Sequence, residues 1–209
     1  MTDIVSVYSQ KALAYDQWFK DHHLIFQSEL LALKTLMPAT DNILEVGVGT
    51  GVFAEALQIK KGLEPAEGMA ALAKKRGIDL VQGYAEDMPF PDSSFDAVLM
   101  ITVLCFLENP NKAFSEIRRV LKPDGQCILA ILDKATPLGQ LYDEHKHTDA
   151  YFRYARFFTA EECITLLTQS GFKIMDTRQT ISSPNLQDIE EPTEGHGKGC
   201  FVVFKSVRV

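Results

Sequence analysis

Short, almost wholly apolar runs recur along this chain, each followed by polar turn residues and then by a stretch of helical periodicity. Ile43–Val46, Lys60–Leu63, Ile78–Gln82, Phe95–Thr102 and Gln126–Leu132 predict five strands. Runs that are apolar throughout, without polar alternation, belong to parallel strands covered on both faces. Between them, Val52–Leu57 and Ala66–Arg76 predict helices. A third begins at Asn109-Pro110, a capping residue followed by a first-turn proline, with Ala113, Ile117, Val120 and Leu121 as its buried stripe. Lys122-Pro123-Asp124-Gly125 predicts a turn into the fifth strand. Thr159–Ser170 predicts another helix, because Thr159 and Glu162 stand in capping-box spacing and Gly171 closes its end. Strands over Phe172–Thr180 and Phe201–Val207 follow, the last preceded by a Pro/Gly/Glu-rich loop.

Two regions break this alternation. The first forty residues carry Tyr15, Trp18, Phe19, Ile25, Phe26, Leu30, Leu31 and Leu33 and predict helices, ended by Pro38. Residues 134–157, rich in Tyr, His, Phe and charge, predict an inserted helical segment. No repeat, low-complexity tract or linker divides the chain, so residues 1–209 are expected to form one α/β domain. Alternating strands and helices predict a doubly wound, mostly parallel sheet with its ligand site at the carboxyl ends of the strands.

Composition narrows the functional classes. At 209 residues the chain is long enough for a sizeable core, and 46% hydrophobic with 23% charged residues is a globular balance. A net charge of -7 provides no basic field for phosphate backbones, which argues against nucleic acid as partner. Cys105, Cys127, Cys163 and Cys200 are widely spaced, as in reduced core thiols. Neither a signal-peptide core nor a run of about 18 apolar residues occurs, so a cytoplasmic protein with no membrane contact is expected.

The candidate chemistry lies where strands end. Ile43-Leu44-Glu45-Val46-Gly47-Val48-Gly49-Thr50-Gly51 reads as a strand, an acid and a glycine-rich turn that lets backbone approach a nucleotide. A dinucleotide fingerprint needs G-x-G-x-x-G, but Val52 occupies its third glycine position. Glu45 would repel a pyrophosphate and suits a positively charged nucleoside such as S-adenosylmethionine. Glu64, nineteen residues on, ends the second strand and can accept both ribose hydroxyls. The Gly83–Phe90 loop can flank an adenine ring, and Ile101-Thr102 should face the methionine portion. The loop Glu194–Gly199 is glycine-rich but precedes no helix, so it predicts a turn and not a phosphate cradle.

Four motifs in order resemble the class I S-adenosylmethionine-dependent methyltransferases of small-molecule type. They are Leu44–Gly51; Gly62-Leu63-Glu64-Pro65 with Met69; Ala85–Asp96; and Glu116–Gly125. Ala14–Phe19 also resembles the lid helix common in these enzymes. The resemblance implies a seven-stranded sheet with an antiparallel last strand, a helical lid over residues 1–40, and a substrate-side insertion over 134–157. It implies S-adenosylmethionine as cofactor, S-adenosylhomocysteine as product, and a cofactor site at Glu45, Gly47, Gly49, Gly51, Glu64, Pro65, Met69, Ala85, Glu86, Ile101 and Thr102. Family members often have Asp where this chain has Tyr84, which leaves the adenine contact open.

Methyl transfer from a sulfonium is an in-line displacement of an already activated group, so the protein's task is to position the nucleophile and exclude water. A base is needed only where the nucleophile must first lose a proton. The candidate bases or orienters are Tyr15, Tyr142 and His145, with His22, His23, His147, Tyr151 and Tyr154 beside them. His145 and His147 stand two apart and would not share a helix face, so no metal is expected there. Ile101-Thr102-Val103-Leu104 replaces the Asn/Asp-Pro-Pro-aromatic motif of base-amine enzymes, and no Pro-Cys nucleophile is present. The expected partner is therefore a small-molecule substrate, for a monomer or homodimer. A cofactor-binding regulatory protein and a nicotinamide oxidoreductase are the alternatives.

Overall fold

The chain begins with helices and only then enters the sheet, so its amino-terminal residues are free to fold back over the strand ends. The structure, a computed structural model, describes residues 2–209. Helices α1 (Thr2–Gln10), α2 (Ala12–Asp21) and α3 (His23–Leu36) come first. Then follow β1 (Ile43–Val46), α4 (Val52–Ala56), β2 (Lys61–Leu63), α5 (Glu67–Lys75), β3 (Asp79–Val81) and β4 (Phe95–Ile101). Next are α6 (Pro110–Val120), β5 (Leu121–Leu132), α7 (Pro137–His145), α8 (Ala160–Gln169), β6 (Phe172–Thr180), β7 (Thr193–Glu194) and β8 (Phe201–Arg208).

All strands join one sheet in the order β3-β2-β1-β4-β5-β8-β6-β7. Strands β1 to β5 pair parallel, and β8 runs antiparallel between β5 and β6. The α/β sheet is thus mostly parallel with an antiparallel end, but it has eight strands, not seven. The extra one, β7, pairs with the sheet's edge through Arg178↔Glu194 and Gln179↔Thr193. No hydrophobic period marks it, because a buried side chain holds it in place. Gln179 donates to the Glu194 carbonyl at 3.1 Å and accepts from the Lys198 and Gly199 amides at 2.7 and 2.9 Å.

The turn expected at Lys122–Gly125 is instead an irregularity inside β5. Register jumps from Phe95↔Leu121 to Ala97↔Gln126, so the longer segment bulges against the shorter one, with Asp124 at φ 60°. Helix caps follow the expected chemistry. Asn109 accepts from the Lys112 amide, and Thr159 and Glu162 form a complete capping box.

Alternating residues of each strand face opposite layers. Leu44, Val46, Val98, Met100, Cys127 and Leu129 pack with α6 and α8, where Phe114, Ile117, Cys163 and Leu167 are fully buried. Ile43, Ala97, Leu99, Ile101, Ile128 and Ala130 pack with Leu30, Leu33 and Leu36 of α3 and with Phe53 of α4. Both faces are covered, as parallel strands require. All four cysteines are free; Cys127, Cys163 and Cys200 are buried and Cys105 partly so.

The amino-terminal region is three helices, broken at Lys11 and His22. Helix α1 lies against α5 at backbone distance: the Gly68 amide donates to Ser9 Oγ at 2.8 Å, and a Cβ on Gly68 would come within 2.0 Å of the Ser9 carbonyl oxygen. Helix α2 is tied down by Arg76, whose guanidinium lies 2.9 Å from Asp16 and 2.8 Å from Glu55 and donates to the Thr50 carbonyl. From β1 the chain winds outward to β2 and β3, then returns to place β4 on the other side of β1. The crevice between the ends of β1 and β4 is the switch point where open α/β sheets bind ligands.

Candidate functional site

A cavity of about 500 Å³ opens at that switch point, within the size range of small-molecule sites. Its floor is the turn after β1. Gly47 has φ 68°, and a Cβ there would overlap Val103 at 2.4 Å; Gly49 has φ 57°, and a Cβ there would point into space with Tyr15 as its nearest neighbour at 3.9 Å. Gly47 is therefore a packing glycine, and Gly49 leaves backbone open to a ligand. Glu64, at the end of β2, accepts the Gly49 and Ala66 amides, each at 2.9 Å. It locks the turn to the start of α5. An ionised carboxylate has about four acceptor sites, so Glu64 keeps capacity toward the cavity it lines. Burial pushes it up to about 7, although its two amide bonds pull the other way.

Pro65, Met69, Ala85, Glu86, Ile101 and Thr102 share the cavity wall with Gly47, Gly49 and Glu64, whereas Glu45 and Gly51 do not. Glu45 is 2% exposed, and its Oε2 has no hydrogen-bond partner. Burial, then the charge of Glu64, pushes its carboxyl up to about 8. At Gly51 a Cβ would meet the Ala73 Cα at 3.2 Å, so this glycine seats α4 against α5. Thr102 holds φ 54°, costly for a β-branched residue, and its amide donates to the Ala130 carbonyl at 2.9 Å.

The loop after β3 is held from below. Glu86 accepts the Glu108 and Asn109 amides at 3.1 and 3.4 Å, tying the loop to the segment beyond β4. Arg119 of α6 donates to the Met88 and Phe90 carbonyls at 2.9 and 2.7 Å and pairs with Glu116 and Asp92. Tyr84 stays 40% exposed at the cavity rim.

The roof is aromatic. Tyr8 of α1 meets Tyr15 of α2, Phe106 and Tyr151 at centroid distances of 5.6, 5.4 and 5.5 Å. Tyr151 also touches Tyr15, and Phe152 packs on Phe106 and Tyr142. Burial raises the Tyr8 and Tyr15 phenols, and pushes Tyr142 up to about 12, so all three are neutral hydrogen-bonding groups at neutral pH. Tyr142 and His145 of α7 line the cavity, but His145 Nδ1 already meets the Leu141 carbonyl at 2.9 Å. His22 also lines it, stacked on Trp18 at 4.4 Å, while His23, His147 and Tyr154 lie outside the wall.

Sequence reasoning passed over Tyr8, Phe106, Asp149, Phe152 and Glu29, all in the wall. Only Glu29 carried a signal. It stands four residues from Ile25 and four from Leu33, a carboxylate within the apolar stripe of α3.

Residues 44–129 match a family model described as a methyltransferase domain. An uncharacterised protein of Methanocaldococcus jannaschii is 40% identical over 206 residues, spanning 98% of this chain and all of the relative. A crystal structure from Thermotoga maritima, described as an S-adenosylmethionine-dependent methyltransferase and possible histamine N-methyltransferase, superposes with a TM-score of 0.94. It is 39% identical and covers 97% of this chain and 99% of its own. The [4+2]-cyclase SpnF shares the fold alone, at TM-score 0.62 and 21% identity over 87% of this chain and 79% of its own. With a glycine turn, a strand-end glutamate and a roofed switch point in place, and with these relatives, the chain belongs to the class I S-adenosylmethionine-dependent methyltransferase family.

Proposed function

We propose that this chain transfers a methyl group from S-adenosylmethionine to a small molecule held beneath the aromatic roof. One observation carries the reading. The cavity joins an open glycine backbone and a strand-end carboxylate with spare acceptor capacity to a second compartment closed by Tyr8, Tyr15, Tyr142 and Tyr151. The residues fit a cationic nucleoside. Gly49 offers open backbone, and Glu64 lines the cavity with acceptor capacity beyond its two amide bonds.

Glu64 would accept the ribose hydroxyls. The apolar surfaces of Leu63, Pro65, Met69 and Ala85, all in the cavity wall, would flank the base, and Ile101 and Thr102 would border the amino-acid portion. When bound, S-adenosylmethionine supplies a methyl group already activated on a sulfonium. The chain's own contribution is to align an acceptor with that group and exclude water. Among the described residues, no helix is long and apolar enough to cross a membrane. A net charge of -7 supports a small acceptor over nucleic acid.

Calorimetry with S-adenosylhomocysteine, followed by a labelled-methyl assay over small amines, thiols, phenols and acids, tests the proposal. Micromolar binding and label in one acceptor class are expected. Binding of NADH without S-adenosylhomocysteine would overturn it. Cofactor binding without transfer to any acceptor would assign a cofactor-binding regulatory role instead.

A further inference from the structure

Glu29 is buried where the fold has no use for a charge. It is 7% exposed within the apolar layer between α3 and the sheet, and among the described residues it makes no hydrogen bond or ion pair. It lines the same cavity as Gly49 and Glu64, but with Leu132, Ile181 and Cys200 beside it, at the ends of β5, β6 and β8. That is the compartment away from the strand-end carboxylate of β2. The titratable groups that feel its charge are Tyr15 of α2, Tyr142 of α7, and Cys200 before β8.

Among the described residues, no cationic group of the wall contacts Glu29. Lys146 pairs with Asp143 at 2.8 Å, and the Nδ1 atoms of His22 and His145 each engage a carbonyl of their own helical segment. The other acids of the wall, Glu64, Glu86 and Asp149, add negative charge. A carboxyl in an apolar wall without a protein partner either holds its proton or meets a ligand that supplies the partner. A ligand that does so must bring N–H donors or positive charge, and an anionic acceptor would be repelled by the ionised acids of the wall.

We propose that the methyl acceptor is an amine, and that Glu29 binds its N–H group and takes up the proton the nitrogen must shed before transfer. The inference rests on the methyl-transfer reading above. Bound as ammonium, the amine gives one proton to Glu29. Its freed lone pair forms the new N–C bond to the methyl carbon while the C–S bond breaks, and that electron pair stays on sulfur. The methylated nitrogen leaves as an ammonium, and the proton on Glu29 passes to solvent, one per methyl transferred. Burial pushes the Glu29 carboxyl up to about 8, which brings it close enough to an amine to share its proton. An exposed carboxylate would be far too weak a base.

Trp18 is the chain's one tryptophan and lies in the cavity wall, so its fluorescence reports binding without turnover. Phenethylamine and tyramine are the amine probes; 3-phenylpropionate, phenol and phenylethanethiol are the controls. The protein is expected to bind the amines more tightly than any control, with affinity rising from about pH 6 to about pH 8.5 as Glu29 ionises. Glu29→Gln should weaken amine binding by at least roughly tenfold and abolish that pH dependence, because it leaves the ammonium without its counter-charge. Glu29→Asp should keep the pH dependence with intermediate affinity. S-adenosylhomocysteine affinity should stay within about twofold in both variants, which also shows that they fold.

Equal amine affinity in wild type and Glu29→Gln would overturn the proposal. So would methyl transfer to the phenol, thiol or acid with none to the amines. Failure of S-adenosylhomocysteine to bind wild type would instead overturn the methyl-transfer reading.

Discussion

The two ends of the cavity are built on different principles. At the β1–β3 end the wall is backbone: a glycine turn, two amides gathered by Glu64, and a loop pinned by Glu86 and Arg119. At the β5–β8 end it is side chains from separate parts of the chain, with α1, α2, α3, α7 and residues 149–152 contributing two or three each. Backbone geometry requires particular residues at particular spacings. A side-chain wall needs only bulk and aromatic character, which many arrangements supply. The first end is therefore the more constrained, and the second can be retuned without disturbing the sheet.

The largest effects should follow from changes at the backbone end. Gly49→Leu places a side chain in the cavity and forces φ 57° on a residue that avoids it, at a stability cost of about 1–2 kcal/mol. S-adenosylhomocysteine binding is expected to vanish from calorimetry while the melting transition survives. Glu64→Ala removes the acceptor for two amides as well as the proposed ribose contact. A loss of roughly 30- to 100-fold in affinity is expected, as for hydrogen bonds to a charged group. If both variants bind normally, the two ends do not differ as described.

The same contrast explains what was legible in the sequence. Strands β1 to β4, β6 and β8 and most of β5 could be read from their apolar runs, and the acid at the end of β2 because backbone sites leave glycines and acids at fixed offsets. Strand β7 could not, since Gln179 anchors it through backbone amides and no hydrophobic period marks it. The bulge in β5 resembled a turn because Pro123-Asp124-Gly125 has turn chemistry, and only pairing with β4 and β8 makes it strand. Glu45 and Gly51 belong to the motif but stand behind the wall, one beneath the turn and one between helices. The roof was legible only in part: Tyr15, Tyr142 and Tyr151 stood out as candidates, but Tyr8 and Phe106 did not, because these rings meet only after the chain has folded back on itself.

An intermediate effect is expected from pH. Burial pushes Glu29 and Glu45 up to about 8 and Glu64 to about 7, all above an ordinary value of 4.5. Carboxyls raised in the folded state bind protons more tightly there than when unfolded. Their stabilisation is full below about pH 4.5 and is lost as pH rises to about 8. The ligand-free protein should melt several degrees lower at about pH 8.5 than at about pH 6. Glu45→Gln should flatten that slope, and a saturating cationic cofactor should reduce it by pairing the charges. A melting temperature that rises over this interval would show that the acids are paired in solution.

Arg119 tests whether the backbone end depends on support from outside the cavity. Arg119→Ala removes the donors that hold the Met88 and Phe90 carbonyls, and leaves Glu116 bound to the Met88 amide without its cation. The loop carrying Ala85 and Glu86 should loosen without unfolding the sheet. A five- to tenfold loss of cofactor affinity is expected, roughly 1 kcal/mol, with amine binding at the other end almost unchanged. Equal loss for both ligands would mean that the ends are coupled through this loop.

The smallest effect should come from Tyr151→Phe. Its hydroxyl donates to the Lys11 carbonyl at 3.3 Å, at the break between α1 and α2, and is the one hydrogen bond described between residues 149–152 and the lid helices. The ring, by contrast, packs on both Tyr8 and Tyr15. An exposed, long hydrogen bond contributes little net stability, whereas aromatic contacts persist in the variant. Tyr151→Phe should therefore change amine affinity less than about threefold, while Tyr151→Ala, which opens the roof, should cost about tenfold or more. Fluorescence titration of both variants decides between the two contributions. If the phenylalanine variant proved as damaged as the alanine one, the roof would be held by its single hydrogen bond, and the side-chain end would be as geometrically exacting as the backbone end.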